Sequence, residues 1–284
     1  MSEDLRIAVV GAGGKMGMRV SDNLQRTDWT VFHCENGEAG RRRVVDAGRR
    51  VVETHDVIGD VDVAILAVPD VALGPVTADL VPRMRPGAMV LTLDPAAAYA
   101  GLLTMRDDLD YVVVHPTHPS VFLERHTPEE YADTFGGVAA PQNSVAALQQ
   151  GDESVKPLAE RIISTMYRPV IKVHWASVHD LAVLEPTLNE TIGCMLGQFL
   201  KDAIDATVRH TDMDEETVTA MIHGHIWIAL TNALRGSNPF SDACLLAMDY
   251  GREAIIKDDW ERIFNDADLD VVIAKMLKLD RVEH

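Results

Sequence analysis

Arg6-Ile-Ala-Val-Val-Gly-Ala-Gly-Gly-Lys-Met-Gly17 is an apolar run of β type that turns through glycines into an amphipathic helix, Met18-Arg-Val-Ser-Asp-Asn-Leu24. A strand, a glycine turn and a helix N-terminus bring backbone N–H groups against a pyrophosphate, an approach that side chains at the turn would block. The run starts at residue 6, as expected of a nucleotide-binding domain that begins with its first strand. Its spacing misses the common Gly-x-Gly-x-x-Gly by one residue. Gly11, Gly13 and Gly17 read Gly-x-Gly-x-x-x-Gly, and Gly11, Gly14 and Gly17 read Gly-x-x-Gly-x-x-Gly. The next strand, Thr30-Val-Phe-His-Cys-Glu35, ends in an acid about twenty residues on, where a carboxylate accepts hydrogen bonds from the adenosine ribose hydroxyls. The expectation is a Rossmann site with Gly11, Ala12, Gly13, Gly14, Lys15 and Met16 at the turn and Glu35 favouring NAD over NADP. Arg41, Arg42 and Arg43 stand close enough downstream to hold a 2′-phosphate, which keeps NADP as the other cofactor.

The 284 residues exceed one typical domain and fall short of three. The expected division is 1–175 as an NAD-binding Rossmann domain and 176–284 as a helical substrate and dimerisation domain. A formal charge of −18 argues against nucleic acid and anionic membrane surfaces, both of which need a basic face. Cys34, Cys194 and Cys244 are odd in number and widely spaced, which suggests neither a disulfide framework nor a zinc cluster. Met1-Ser-Glu-Asp4 lacks the start of a signal peptide, and no apolar stretch approaches the ~18 residues of a membrane span. A cytoplasmic chain is expected.

Strand-like runs at Ile7–Val10, Val31–Cys34, Val63–Val68, Met89–Thr92 and Tyr111–His115 alternate with helical ones, the pattern of an α/β, doubly wound parallel sheet. Gly136–Ala140 and Ser144–Leu148 read as added strands, followed by a helix near Val155–Met166 and a strand at Val170–His174. Val68, Pro69 and Asp70 close the third run at the carboxyl edge, where they flank the nicotinamide ribose or, for Asp70, cap the next helix. Asp94 ends the fourth run in the same way, at the rim of the cofactor cleft or as a cap. The fifth run continues His115-Pro-Thr-His118-Pro119, whose prolines hold two histidines in a stiff loop at the ligand edge. Either imidazole suits a general base or a metal ligand.

From Ser177 the pattern turns helical: Val178–Val208, Asp214–Asn232, Ser241–Lys257 and Asp266–Lys278. A helix of about thirty residues spans ~45 Å and needs a partner for its apolar surface. Dimerisation through this part is expected. Near its head, Glu185 and Asn189 are one turn apart, so a carboxylate and an amide share a face, with Pro186 between them.

Gly11-Ala-Gly-Gly-Lys-Met-Gly17, Leu66-Ala-Val-Pro-Asp70, His115-Pro-Thr-His-Pro119, Leu184-Glu-Pro186 and Lys257-Asp-Asp-Trp260 together resemble the 6-phosphogluconate dehydrogenase-like superfamily. Within it they resemble the subgroup that includes D-apionate oxidoisomerase, over essentially the whole chain. The resemblance implies a Rossmann domain with added strands and an all-helical domain that dimerises. It also implies NAD-dependent oxidation of a branched sugar acid with rearrangement of its carbon skeleton, D-apionate to 3-oxo-isoapionate. The chain departs from phosphogluconate-type enzymes where they carry a lysine one turn before the asparagine; Glu185 stands there instead.

Glutamate facing His115 offers a carboxylate and an imidazole, a pair suited to a divalent cation such as Mg or Zn. Such a cation would polarise the carbonyl of an α-ketol and allow an acyloin-type migration. Ketol-acid reductoisomerases resemble this logic. The catalytic set is therefore His115, His118, Glu185 and Asn189, with His115 and Glu185 as metal ligands and Asn189 and His118 positioning the substrate. Three other readings stand beside it: a 3-hydroxyacid or phosphogluconate-type NAD(P) dehydrogenase without isomerisation, metal-free chemistry with His115 as general base, and a non-catalytic NAD-binding regulator. His223, His225 and Lys257 receive no role.

Overall fold

The computed structural model describes residues 4–283. Strands β1 (Arg6–Val10), β2 (Thr30–Cys34), β3 (Val51–Val52), β4 (Val63–Leu66), β5 (Met89–Thr92), β6 (Asp110–Pro116), β7 (Gln142–Gln150) and β8 (Val170–Ala176) form one sheet. Their order is β3-β2-β1-β4-β5-β6-β7-β8. Neighbours are parallel from β3 to β6, β7 runs antiparallel to β6, and β8 runs parallel to β7. The order reverses between β1 and β4, the switch point at which a crevice opens outside the carboxyl ends of a doubly wound sheet.

Every residue of β4 and β5, and Ile7–Val10 of β1, is buried. Such runs are continuous rather than alternating because helices cover both faces of a parallel sheet. One layer gathers Ile7, Val9, Val63, Ile65, Leu91, Val112 and Val114 with Val20 and Leu24 of the helix Lys15–Leu24. Ile162, Ile163 and Met166 of the helix Lys156–Met166 complete it.

Gly136–Ala140 is a loop, not the added strand its composition suggests. The buried Asp133 carboxylate accepts hydrogen bonds from the N–H groups of Gly136, Val138, Ala139 and Ala140 at 2.8–3.1 Å. Gly136 and Gly137 hold φ of 83° and 84°, which lets the chain curl around that acceptor. One carboxylate thus replaces the partner strand. Burial by itself would raise the Asp133 pKa, but the four backbone donors outweigh it and hold the group below the usual carboxylate range.

The described chain divides into two compact units, residues up to Glu185 with 270–284, and Pro186–Leu269. The division falls later than 175/176, and the C-terminal segment belongs with the sheet, where Ile273, Ala274 and Leu277 are buried and Tyr99 donates to Asp270 at 2.9 Å. The expected helix Val178–Val208 is continuous from Val178 to His210 but π-helical over Val183–Cys194. Pro186 has no N–H to donate and its ring crowds the preceding turn, so the α ladder cannot pass through it. The second unit also contains the helices Glu215–Arg235 and Asp242–Ile255, whose first turns are capped by Asp214 and Ser241.

A Cβ on Gly17 would lie 2.1 Å from the Gly11 carbonyl oxygen, a backbone atom held by the turn. Gly17→Ala is expected to lower stability by about 1–3 kcal/mol, measured as a lower urea midpoint.

Candidate active site

The turn after β1 is fixed by backbone. Gly11 and Ala12 donate to the Cys34 carbonyl at the end of β2 at 2.9 and 3.0 Å, and Gly14 donates back to Gly11 at 3.0 Å. Three glycines are sterically required. Gly11 has φ 83°, and a Cβ there would meet the Ala67 carbonyl oxygen at 2.4 Å; a Cβ on Gly13 would meet the Gly40 carbonyl oxygen at 2.4 Å. With Gly17, these give the operative spacing 11-13-17, while a Cβ on Gly14 would find its nearest neighbour at 3.3 Å. The helix Lys15–Leu24 begins with no side-chain cap on its first N–H groups, the arrangement of an anion site.

Glu35 Oε2 accepts from the Gly13 N–H at 2.9 Å and Oε1 from the Gly37 N–H at 2.8 Å, so the acid stands against the glycine turn. The three arginines have their own partners. Arg43 donates to the Gly13 carbonyl at 2.7 Å, Arg41 to the Glu35 carbonyl and Glu53 at 3.0 Å, and Arg42 to Glu38 at 2.9 Å. Val68 packs beside Gly11, and Pro69 and Asp70 open the helix Asp70–Leu80. Ala12 is buried, Met16 packs on the core layer, and Lys15 is exposed.

A second group of residues assembles at β5 and β6. Their register pairs Thr92 with Val113, and extending it two residues sets Asp94 opposite His115. His115 Nδ1 lies 3.8 Å from Asp94 Oδ2, and Asp94 Oδ1 caps the Ala96 N–H at 2.9 Å. Glu185, only 4% exposed, arrives from the start of the π-helical stretch Val183–Cys194, just after the helix Val178–Ala182, whose His179 ring lies 5.9 Å from the ring of Tyr99. One donor atom each from Asp94, His115 and Glu185 lie within 4.8 Å of one another. Burial, reinforced by the neighbouring His118, pushes the His115 pKa down to about 4. The imidazole is therefore neutral near pH 7, the form that binds metal ions. Two carboxylates and a neutral imidazole, largely out of water, form a donor set that a divalent cation would neutralise.

His118 stands beside them with its ring 5.9 Å from that of His115, edge to face. Asn189 is not part of the cluster: it belongs to the second unit and is exposed.

Residues 123–277 match the family described as Phosphogluconate dehydrogenase (decarboxylating) C-term. The chain is 54% identical over its full length to a D-apionate oxidoisomerase of Pectobacterium atrosepticum, all of which is covered. A D-apionate oxidoisomerase of Cupriavidus necator is 41% identical over 264 residues, 92% of this chain and 95% of that one. The chain belongs to the D-apionate oxidoisomerase family. A solved structure titled a semialdehyde dehydrogenase NAD-binding protein from Cupriavidus necator, in complex with calcium and NAD, superposes with a TM-score of 0.92 at 40% identity, covering 96% of this chain and 100% of that one.

Asp94 does cap the Ala96 N–H, and the sheet register also brings it to His115 and Glu185, a grouping that its place in the sequence does not signal. Gly40 was overlooked, because nothing in the sequence says that Gly13 lies against it.

Proposed function

We propose that this protein is a cytoplasmic homodimer that oxidises D-apionate with NAD and isomerises the product to 3-oxo-isoapionate. The observation that carries the reading is the presence, in one compact unit, of a glycine turn facing Glu35 and a largely enclosed cluster of Asp94, His115 and Glu185. The turn fits a dinucleotide because the helix Lys15–Leu24 begins behind it with no side-chain cap on its first N–H groups. When bound, NAD supplies the acceptor for the hydride. Backbone N–H groups at the head of Lys15–Leu24 hold the pyrophosphate, Glu35 takes the ribose hydroxyls, and Val68, Pro69 and Asp70 flank the nicotinamide ribose. The engagement of Arg41, Arg42 and Arg43 with partners of their own supports NAD over NADP.

Asp94, His115 and Glu185 fit a divalent cation by their mixed nitrogen and oxygen donors, and the buried His115 Nδ1 has no hydrogen-bond partner. When bound, the cation supplies polarisation of the α-ketol carbonyl, which an isomerisation requires and a simple dehydrogenation does not. His118, beside His115, orients the substrate hydroxyls.

The second unit supports a homodimer. Among its described residues only Pro186, Thr187, Val218 and Leu269 are buried. Thr217–Leu234 carries no Asp, Glu, Lys or Arg, yet Met221, Trp227, Ile228 and Leu234 are exposed. Large apolar side chains exposed along an uncharged stretch of helix call for a covering surface. Among the described residues no helix is long and apolar enough to cross a membrane. A second copy, always present in equal amount, is the occupant we assign.

Purified protein with D-apionate and NAD is expected to form NADH, to lose that activity on chelation and to recover it with a divalent cation; turnover of a phosphorylated acid alone would return the reading to a plain dehydrogenase. Glu185→Gln is expected to lower kcat/KM at least ~100-fold in the same assay. Glu35→Ala removes charged hydrogen bonds to the ribose, so the KM for NAD should rise roughly 10-fold or more while kcat holds. Sedimentation should show a dimer, and Trp227→Glu should shift it towards monomer with loss of helical circular dichroism.

A further inference from the structure

We propose that Phe135 is a positioning residue that ties His118 to the helix opening the glycine turn, so that occupancy of that turn is felt at the histidine. The inference rests on the reading above for the role of His118, but not for the contacts themselves. His118 adopts φ 58°, a left-handed conformation that a residue with a side chain seldom keeps without being held. What holds it is Phe135. His118 Nδ1 lies 2.7 Å from the Phe135 carbonyl oxygen, and the two rings are 4.6 Å apart. A carbonyl only accepts, so Nδ1 is the donor and carries a proton, and Nε2 is the ring nitrogen left to meet substrate.

The Phe135 ring is gripped in turn. Lys15 Nζ lies 3.8 Å and the Arg19 guanidinium carbon 4.7 Å from its centroid, and both residues come from the helix that follows the glycine turn. Arg19 also donates to the Gly136 carbonyl at 2.6 Å, and the Asp133 carboxylate fixes the rest of the loop from below. Phe135 therefore touches both the head of the dinucleotide helix and the second histidine of the His-Pro-x-His-Pro loop.

The test needs no sugar acid. Protein labelled with ¹⁵N-histidine is titrated with NADH and the His118 ring nitrogens are followed by long-range proton–nitrogen correlation, the signal being assigned by its loss in His118→Gln. The wild type should show one tautomer, protonated at Nδ1, and a shift on saturation with NADH. Phe135→Leu, with NADH binding verified by fluorescence, should show mixed tautomers and lose the shift, while Phe135→Tyr, which keeps the aromatic face, should restore both. Should Phe135→Leu fail to fold, Arg19→Met removes one of the two cations and should weaken the same response. A His118 signal that keeps its tautomer and its full NADH response in these variants overturns the proposal. Failure to oxidise D-apionate would sink the substrate assignment and leave this result standing.

Discussion

Backbone packed directly on backbone at the end of β1 is the constraint on which the rest of the sheet-bearing unit depends. At Gly11, Gly13 and Gly17 the neighbouring carbonyls come so close that no Cβ fits. That contact sets the entry of the first helix onto the sheet and leaves its N–H groups facing the crevice at the switch point. The same approach draws Gly40 and Glu35 against the turn, so the acid is placed by packing as much as by its distance along the chain.

The acidic cluster is built by a different device. Parallel strands deliver their carboxyl ends to one edge, and the β5–β6 register puts Asp94 beside His115 without either residue being near the other in sequence. Glu185 is brought in by a helix, and the π-helical stretch forced by Pro186 begins around it. Taking two carboxylates and an imidazole out of water is costly unless charge is balanced. Burial also pushes the His115 pKa down to about 4, and the neutral imidazole beside two carboxylates is the basis on which we propose a cation there.

The second unit shows the opposite economy. Two of its helices are capped by Asp214 and Ser241, yet its described residues enclose almost no core of their own and leave large apolar side chains of the uncharged stretch Thr217–Leu234 exposed. Local signals suffice to form such helices. The burial that would stabilise them must come from another surface, because a unit of this size without a core lacks the main favourable term of folding.

The sequence by itself determined the doubly wound sheet, the glycine turn and the order of the helices, and it singled out His115, His118 and Glu185 as candidates. Those are properties of short stretches: a β run of period-free apolar residues, glycines at a turn, prolines that stiffen a loop, acids that cap helices. It did not determine which glycine spacing operates, that Asp94 joins His115 and Glu185, or that Gly136–Ala140 curls around Asp133 instead of pairing as a strand. Each of these depends on residues far apart in the chain or on a side chain outbidding a backbone partner for N–H groups. Composition and spacing are blind to both, and only the tertiary structure, by fixing strand register and the direction of each carbonyl and carboxylate, decides them.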